Sequence, residues 1–390
     1  MQEAGSDNEN TPVRPSRRFA PLVFYTLALL LLAELVVALV LPSMVPEQVY
    51  LDLYLSKEAR ENTRRFVNDS APFLIYDEIA GWRNRPDVAH QKWVIDGRGS
   101  RSTHAVSTDR ARRTQVIFLG NSLVNGSSGV SNDETISAYI EDETTASSNF
   151  AAMLYSLDQS YLAYKHRLGE YKADVVVVGL GATPGAGLMN RYIPFRFRQE
   201  HNMPFFKPRF ELTGNTLNLI PLPPKQAYEE IFSVPAILSN LASSDAHYNE
   251  FKAYTRFGLT PIFASIRYIY NKAQRLVSLI NHDDRDAPLL KALMSAMVME
   301  AESRGAIVIF MMLPDQTTTA PGRLRGLLPD HYGSMVKELS GAGFNVLDAR
   351  ETLRRSGMPM RKLFYYDGIH YTAVGNREIA TGLKTMIGKR

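Results

Sequence analysis

The chain has 390 residues, of which 45% are hydrophobic and 22% are charged, so it can bury the core of one large domain or two. Its net charge of +4, without a long basic block, argues against a nucleic-acid partner. Cysteine is absent, which excludes disulfide bonds, cysteine-ligated metals and a cysteine nucleophile. The run HDDRD at 282–286 lacks the spacing of a metal-ligand set, so we expect a charged loop there, with no metal and no cofactor.

The N-terminus combines a polar tail with a long apolar run. Residues 1–18 are rich in Pro, Asn and Glu, which predicts a disordered tail. Residues 19–42 carry a single charge, Glu34, and roughly 20 apolar residues are enough to cross a bilayer. We therefore predict one transmembrane helix over 19–42. Three arginines precede it and the next basic residue is Lys57, so the positive-inside rule puts the tail in the cytoplasm and residues 43–390 outside.

Glu34 leaves two interpretations open. An acidic side chain within a bilayer is costly and usually faces a protein contact or water. The acid is either tolerated near a helix end or in a protein contact, or it meets another membrane subunit.

Beyond the apolar run, a mixed stem gives way to an α/β alternation. We assign residues 43–112 to a stem that packs on the following domain, 113–390. Continuous Val-rich runs that alternate with helical patterns predict a parallel sheet covered on both faces. We predict strands over 116–120, 174–181, 306–314 and 343–349, and helices over 134–143, 159–171 and 288–305. Alternating runs around Thr-Gly-Asn predict a β-hairpin within 207–224, as part of a hairpin and helical insertion at about 191–287.

The first predicted strand runs directly into Gly-Asn-Ser. Gly120 lets the backbone turn, and Ser122 then lies at the carboxyl edge of the sheet, where open α/β sheets bind ligands. There its hydroxyl is exposed and its N–H is free to donate to an oxyanion. Two interpretations stay open: Ser122 is a nucleophile, or it caps the helix that follows, which is a common role for serine.

A second chemical signal lies near the C-terminus, in Asp367-Gly-Ile-His370. A serine hydroxyl needs a base to take its proton, and the base needs a carboxylate to fix its tautomer. A loop that carries Asp and His three residues apart can supply both. The alternative is a polar loop whose Asp and His bind local backbone before a helix capped near Thr372.

Taken together, the two signals resemble the SGNH (GDSL-type) hydrolase superfamily, and in particular its membrane-anchored bacterial members. LGNSLVNG stands where that family has its first block, and Asp367-x-x-His370 stands where its last block carries the acid and base. YDEIAGWRNRP, NFAAMLYSLDQSYL, DVVVVGLG and FFKPRFEL resemble further motifs, so the resemblance covers roughly residues 76–385. It implies a three-layer α/β/α fold with a mainly parallel sheet. It also implies that Ser122 attacks an acyl carbonyl, that His370 accepts and returns the proton, and that Asp367 orients His370.

The sequence departs from the family where the oxyanion donors are expected. The first-block aspartate is Asn121, which is not part of the triad. The resemblance implies the Ser122 N–H as one donor and a second-block glycine N–H as another, but Leu154 stands at the glycine position, and a bulky residue need not reach the geometry of glycine. The third-block asparagine is missing, which leaves Asn190, later than expected, or Thr183 as a weaker substitute.

These observations favour a serine-dependent O-acyl (acetyl) esterase or acetyltransferase that acts on an exported or cell-surface polysaccharide. We expect a single-pass protein of the inner membrane, with its catalytic domain in the periplasm and an acyl-ester or polysaccharide substrate. The alternative is a catalytically weak binding or assembly subunit of a polysaccharide biosynthesis complex. A third interpretation, a lipase, would need a large apolar groove beside Ser122.

Overall fold

The structure, a computed structural model, describes residues 19–44, 51, 55, 57–90, 92–101, 113–127, 129–197, 203–256, 286–320 and 330–388. The predicted tail, 1–18, lies outside the described residues. So do residues 282–285 of the predicted charged loop, and residues 198–202 and 257–281 of the predicted insertion.

The described strands form one five-stranded sheet and three two-stranded sheets. They are β1 (Leu74–Asp77), β2 (Gly81–Asn84), β3 (Val88–His90), β4 (Trp93–Ile95), β5 (Thr114–Leu119), β6 (Thr145–Asn149), β7 (Val175–Leu180), β8 (Arg209–Thr213), β9 (Thr216–Ile220), β10 (Ile307–Met312) and β11 (Val346–Asp348). The large sheet has the order β11-β10-β7-β5-β6, and all of its neighbouring strands pair in parallel. The antiparallel pairs are β1–β2, β3–β4 and β8–β9.

Helices of very different lengths connect these strands. They are α1 (Phe19–Met44), α2 (Lys57–Val67), α3 (Ser122–Asn125), α4 (Ile136–Ile140), α5 (Leu157–His166), α6 (Pro184–Leu188), α7 (Ile193–Arg196), α8 (Ala227–Glu230), α9 (Pro235–Ser244), α10 (Tyr248–Arg256), α11 (Ala287–Glu302), α12 (Gln316–Thr319), α13 (His331–Gly341), α14 (Ala349–Arg355), α15 (Met360–Leu363) and α16 (Ala373–Ile387). A 3-10 turn, Asn132–Glu134, precedes α4.

The large sheet is buried on both faces. Successive side chains of a strand point to opposite faces, and in β7 Val176 and Val178 enter one apolar core while Val175 and Val177 enter another. Helices α5, α11 and α13 complete the first core, and α4, α14 and α16 complete the second. The predicted α/β fold with a parallel sheet is thereby confirmed, and its layers are helix, sheet and helix.

The strand β6 was not predicted, because its sequence TASSN has no apolar run. All five of its residues are nevertheless buried. Their polar groups find partners within the protein: Asn149 Nδ2 donates to Val124 O and to Ser137 Oγ, and Ser147 Oγ donates to Ser137 O. A buried polar edge strand of this kind is stabilised by hydrogen bonds rather than by apolar burial, so hydrophobic periodicity does not reveal it.

The stem and the insertion share a third apolar core, and this core supports the loop after β6. It contains the fully buried Trp82 from the stem together with Phe206 and Tyr228 from the insertion. Trp82 Nε1 donates a hydrogen bond to Met153 O at 2.8 Å, and Asn84 Nδ2 donates to Ala151 O at 3.0 Å. The stem hairpin therefore contacts the loop that follows β6 directly.

The predicted hairpin is formed by β8 and β9, and a buried ion pair ties its base to the main domain. Lys207 Nζ lies 2.6 Å from Asp158 Oδ2 on α5, and both side chains are almost completely buried. Burial lowers the pKa of Lys207, and the neighbouring Asp158 carboxylate opposes this shift. Removing one partner of such a pair would leave a buried charge uncompensated, which is strongly destabilising. The pair therefore holds the base of the hairpin against α5.

The predicted helix over 19–42 lies within α1, a 26-residue helix. Large apolar side chains from Leu22 to Val40 are exposed along it. Among the residues that the structure describes, a helix with both the length and the hydropathy of a membrane span is not found.

A pair of glycines allows the turn after β5 to lie directly against β7. A Cβ atom on Gly120 would lie 2.8 Å from Gly179 O and 2.9 Å from Val124 Cγ2. A Cβ atom on Gly179 would overlap Val124 Cγ2 and lie 3.1 Å from Leu313 Cδ1. Val124 of α3 therefore packs into the space that a side chain at position 179 would occupy.

We expect Gly179→Ala to destabilise the protein by about 1–3 kcal/mol, because it overpacks a buried contact. Trimming the neighbour relieves the overlap, so Gly179→Ala combined with Val124→Ala should be less destabilised than the sum of the two single variants. Denaturant unfolding of the four proteins measures this coupling.

Gly341→Ala serves as the matched control, since a Cβ atom added at this position of α13 would have no atom within 4 Å. It should be neutral or slightly stabilising. If the changes in the free energy of unfolding caused by Gly179→Ala and Val124→Ala simply add, the contact between these two residues does not limit how closely α3 packs on β7.

Candidate active site

The turn between β5 and α3 presents Ser122 at the carboxyl edge of the sheet. Gly120 adopts a φ of +136°, a conformation that L side chains rarely reach, and lets the chain reverse. Asn121 is the N-cap of α3, with its side-chain oxygen accepting from Leu123 N at 3.0 Å. Ser122 follows as the first helical residue and is partly exposed. Asn121 rather than Ser122 therefore performs the capping role, which leaves the Ser122 hydroxyl available for another partner.

That partner is His370, and the three predicted triad side chains form one hydrogen-bonded series. His370 Nε2 lies 2.9 Å from Ser122 Oγ, and His370 Nδ1 lies 2.7 Å from Asp367 Oδ2. The residues that bear the hydroxyl and the carboxylate are 245 positions apart in sequence (367 minus 122), so only the fold brings them together. This is the geometry in which a base can take the serine proton while a carboxylate holds its tautomer.

The electrostatics of Asp367 suit this position. Burial alone would raise the pKa of Asp367, but hydrogen bonds from the His370 ring and from the N–H groups of Ile369 and His370 outweigh it, so the pKa lies below its ordinary value. The carboxylate is therefore ionised at neutral pH. Because the folded pKa is lowered, its contribution to stability is present at neutral pH and is lost only as the pH falls through that pKa.

The turn that carries Asp367 and His370 is hydrogen-bonded to the segment that connects β10 to α12 and to the first residue of α12. Gln316 N donates to Gly368 O at 2.8 Å, and the buried Tyr371 hydroxyl donates to Pro314 O. Thr372 then caps α16 through its side chain, as the sequence predicts. The predicted alternative is a polar loop that binds only local backbone. It accounts for one carboxylate oxygen of Asp367, because Oδ1 accepts from the Ile369 and His370 N–H groups. The other oxygen, Oδ2, contacts the His370 ring.

Three buried polar side chains that sequence reasoning missed fix the backbone around Ser122. Arg101 donates to the carbonyl oxygens of Asn125 and Ser127 at 2.7 Å each, and burial lowers its pKa to about 10. Asn125 Nδ2 donates to Ala151 O at 2.7 Å, and Asn149 Nδ2 donates to Val124 O at 2.9 Å. No local pattern marks these residues, because each bonds to a backbone oxygen that is distant in sequence or supplied by an irregular loop.

Leu154, which the resemblance places at a second-block glycine position, adopts a left-handed backbone conformation. Its φ is +59°, in the left-handed region that glycine occupies readily and that costs other residues about 1–2 kcal/mol. Its side chain is partly buried against the third apolar core. Among the described residues, neither the Leu154 N–H nor the Ser122 N–H donates a hydrogen bond. Ala152 N donates to Gly120 O at 3.0 Å, which places this loop beside the Ser122 turn.

The structure corrects the prediction for Asn190 and leaves Thr183 available. Asn190 is buried, and Nδ2 donates both of its hydrogens within the insertion, to Tyr192 O at 2.8 Å and to Asp245 Oδ2 at 3.0 Å. It therefore has no hydrogen left to donate to an oxyanion. Thr183 lies three residues beyond β7, is exposed, and has no hydrogen-bond partner among the described residues.

The arrangement can activate a serine hydroxyl, and the loop after β6 contacts the turn that carries Ser122 through the hydrogen bond from Ala152 N to Gly120 O. Gly181 lies close to Asn121, since a Cβ atom added to Gly181 would be 3.7 Å from Asn121 Nδ2. The end of β7 therefore adjoins the turn that carries Ser122. Within the described part of the chain, no group of three or more His, Asp or Glu residues is placed to hold a metal ion.

Comparisons with known proteins found similarity only to solved structures. No family model and no curated protein matches the chain. Similar solved structures include a G-D-S-L family protein from Desulfitobacterium hafniense DCB-2 (12% identity, TM-score 0.35, covering 70% of this chain and 99% of the other). They also include a catalytic mutant of an acetylxylan esterase from Geobacillus stearothermophilus (10% identity, TM-score 0.36, covering 70% of this chain and 94% of the other). A third is a lipase/acylhydrolase from Enterococcus faecalis (11% identity, TM-score 0.35, covering 71% of this chain and 96% of the other). At TM-scores this low, the chemistry of the site has to follow from its own geometry.

We expect Thr183→Val to lower kcat for ester hydrolysis about 100-fold while leaving KM nearly unchanged, because an oxyanion donor acts in the transition state. Valine keeps the shape of threonine and removes only the hydroxyl. Steady-state kinetics on a small acetate ester measures both constants.

Thr216→Val, at an exposed position on β9, is the matched control and should change neither constant. A Thr183→Val protein that keeps wild-type kcat would show that the third donor comes from elsewhere.

Proposed function

We propose that this chain is a serine-dependent O-acyl ester hydrolase or O-acyltransferase. The observation that carries the proposal is the unbroken series from Asp367 through His370 to Ser122, with contacts of 2.7 Å and 2.9 Å. A serine that merely caps a helix does not need a histidine, and here Asn121 already supplies the cap.

The chemistry proceeds in two halves. Ser122 Oγ attacks the acyl carbon while His370 Nε2 takes its proton, and Asp367 stabilises the resulting imidazolium. The oxyanion that forms is stabilised by the Ser122 and Leu154 N–H groups and by the Thr183 hydroxyl. His370 then returns the proton to the leaving alcohol, and the acyl group stays on Ser122 as an ester. In the second half, an acceptor hydroxyl gives its proton to His370 and attacks the acyl-serine. The acyl–oxygen bond to Ser122 then breaks, His370 returns the proton to Ser122 Oγ, and the acceptor leaves with the acyl group.

The acceptor decides between the two activities. If water enters, the products are a carboxylic acid and an alcohol, and the protein is an esterase. If a sugar hydroxyl enters, the acyl group moves to that sugar, and the protein is a transferase. Both share one acyl-serine, so the same residues serve either outcome.

We further propose acetyl groups on an exported or cell-surface polysaccharide as the substrate. Two observations support this proposal: the motifs resemble those of membrane-anchored bacterial SGNH proteins, and the charge pattern before residue 19 predicts an exterior location for the catalytic domain. In the same proposal α1 attaches the protein to the inner membrane. Its exposed apolar side chains support this. Glu34 is where another membrane subunit would make contact in this proposal, because an acidic side chain within a bilayer usually faces a protein contact or water.

The decisive experiment uses the full chain in mild detergent with 4-nitrophenyl acetate, comparing wild type with Ser122→Ala and Asp367→Asn. We expect Ser122→Ala to lose at least about 1,000-fold in kcat, and Asp367→Asn to be strongly impaired because the neutral amide no longer stabilises the His370 imidazolium. Adding a soluble oligosaccharide and measuring its mass then separates transfer from hydrolysis.

Ser334→Ala, at an exposed position on α13, is the matched serine control and should retain full activity. Equal inertness of wild type and Ser122→Ala, with both proteins folded by circular dichroism, would favour the binding or assembly subunit. Faster turnover of long-chain than of acetyl esters would favour a lipase.

Membrane attachment is tested by fractionation. The full chain should stay with membranes after alkaline carbonate washing, whereas a variant lacking residues 1–42 should be released. Release of the full chain by the wash would contradict the proposed role of α1.

A further inference from the structure

Two exposed apolar side chains lie on the turn that carries the predicted base and acid. Outside α1, the large apolar side chains that are exposed among the described residues are Val94, Leu219, Met299, Met358, Tyr366 and Ile369. Tyr366 is the only aromatic among them, and it is completely exposed, at 103%. Single exposed apolar residues need no explanation, but Tyr366 and Ile369 immediately precede Asp367 and His370.

Hydrogen bonds hold the backbone of this turn. Tyr365 N donates to His370 O at 2.9 Å, and Gly368 N donates to Tyr365 O at 3.0 Å. Gln316 N fixes Gly368 O, and the neighbouring Tyr365 hydroxyl donates to Gly129 O at 2.5 Å. Tyr365 is thus tied to the domain, while Tyr366 is held outward on a rigid turn.

We propose that Tyr366, with Ile369 three residues further along the same turn, is the subsite that binds the sugar ring on the alcohol side of the substrate. This inference rests on the proposed function and names the residue that selects carbohydrate esters. The leaving alcohol takes its proton from His370 Nε2, so it must lie on the His370 side of Ser122 rather than among the oxyanion donors. Tyr366 stands on that same turn, four residues before His370.

The chemistry of a single exposed tyrosine suits a sugar ring better than a lipid. A pyranose presents a face of C–H groups that can pack on an aromatic ring, and its hydroxyls can reach the phenolic oxygen. Tyrosine offers this contact with few rotatable bonds, so little conformational entropy is lost on binding. A long acyl chain gains affinity by burying many methylenes, about 0.8 kcal/mol each, and one ring in open solvent buries few of them.

The test compares two acetates that differ in whether the alcohol is a ring. The full chain is assayed with methyl glucoside tetraacetate and with glycerol triacetate, and the measured quantity is the ratio of their kcat/KM values. We expect Tyr366→Ala to lower this ratio about tenfold, mainly through KM for the glucoside, because the stacking contact is lost. Tyr366→Phe keeps the ring and should stay within about threefold of the wild-type ratio.

Met299→Ala is the matched control, since Met299 is another solvent-exposed apolar residue, on α11, and it should leave the ratio unchanged. The proposal is overturned if Tyr366→Ala leaves the ratio unchanged, or if the variant instead selectively loses turnover of octanoyl relative to acetyl esters.

A binding measurement separates this inference from the proposed function. Saturation-transfer NMR of methyl glucoside tetraacetate with the Ser122→Ala protein should show contact to the sugar-ring protons, and the added Tyr366→Ala change should abolish it. If no ester is turned over but this Tyr366-dependent binding is seen, the enzyme proposal fails while the sugar subsite stands. If esters are turned over through Ser122 but no such binding is seen, only the subsite fails.

Discussion

The position of Ser122 depends on how closely α3 can approach β7. Val124 packs into the space where Gly179 has no side chain, and Gly120 brings its own backbone against the same residue. Protein interiors are close-packed, so a shift of a few tenths of an ångström at this contact would be passed along the four residues of α3 to the serine hydroxyl. A hydrogen bond of 2.9 Å to His370, which comes from an independent loop, tolerates little displacement. The absence of a side chain at Gly179 therefore determines where Ser122 lies relative to His370.

Such a tight turn leaves backbone carbonyl groups pointing into the protein, and buried carbonyls need donors. Arg101 supplies them to Asn125 O and Ser127 O, and Asn149 supplies one to Val124 O. Asn125 Nδ2 in turn donates to Ala151 O in the loop after β6. Arg101 comes from the stem, and Asn149 ends an edge strand whose side chains are nearly all polar. The polar character of β6 therefore has a physical reason: its buried side chains make hydrogen bonds, Asn149 to Val124 O beside Ser122 and Ser147 to Ser137 O of α4. Pairing beside β5 places Asn149, the last residue of β6, at the carboxyl edge of the sheet.

Whether an element of the fold or the site could be predicted from the sequence depends on the kind of interaction that stabilises it. The strands β5, β7 and β10 are continuous apolar runs, and the pairing of Asp367 with His370 is local, so both are visible in the sequence. The strand β6 and the side chain of Arg101 act through hydrogen bonds to distant backbone, which leave no periodic signal. Asn190 was assigned to the oxyanion site because its residue type suits the chemistry. Its actual partner, Asp245, lies in the insertion 55 residues away, and nothing in the local sequence reveals that contact.

Leu154 shows how packing can replace an intrinsic backbone preference. A left-handed leucine costs about 1–2 kcal/mol where glycine would cost nothing. Burying part of its side chain in the third apolar core returns a similar amount. The flanking chain is fixed independently, by the hydrogen bond from Trp82 to Met153 O on one side and by that from the buried Tyr155 hydroxyl to Trp82 O on the other. The loop therefore does not need glycine to hold the left-handed conformation at Leu154. The stem and the insertion hold this loop in place through the third apolar core and these two hydrogen bonds.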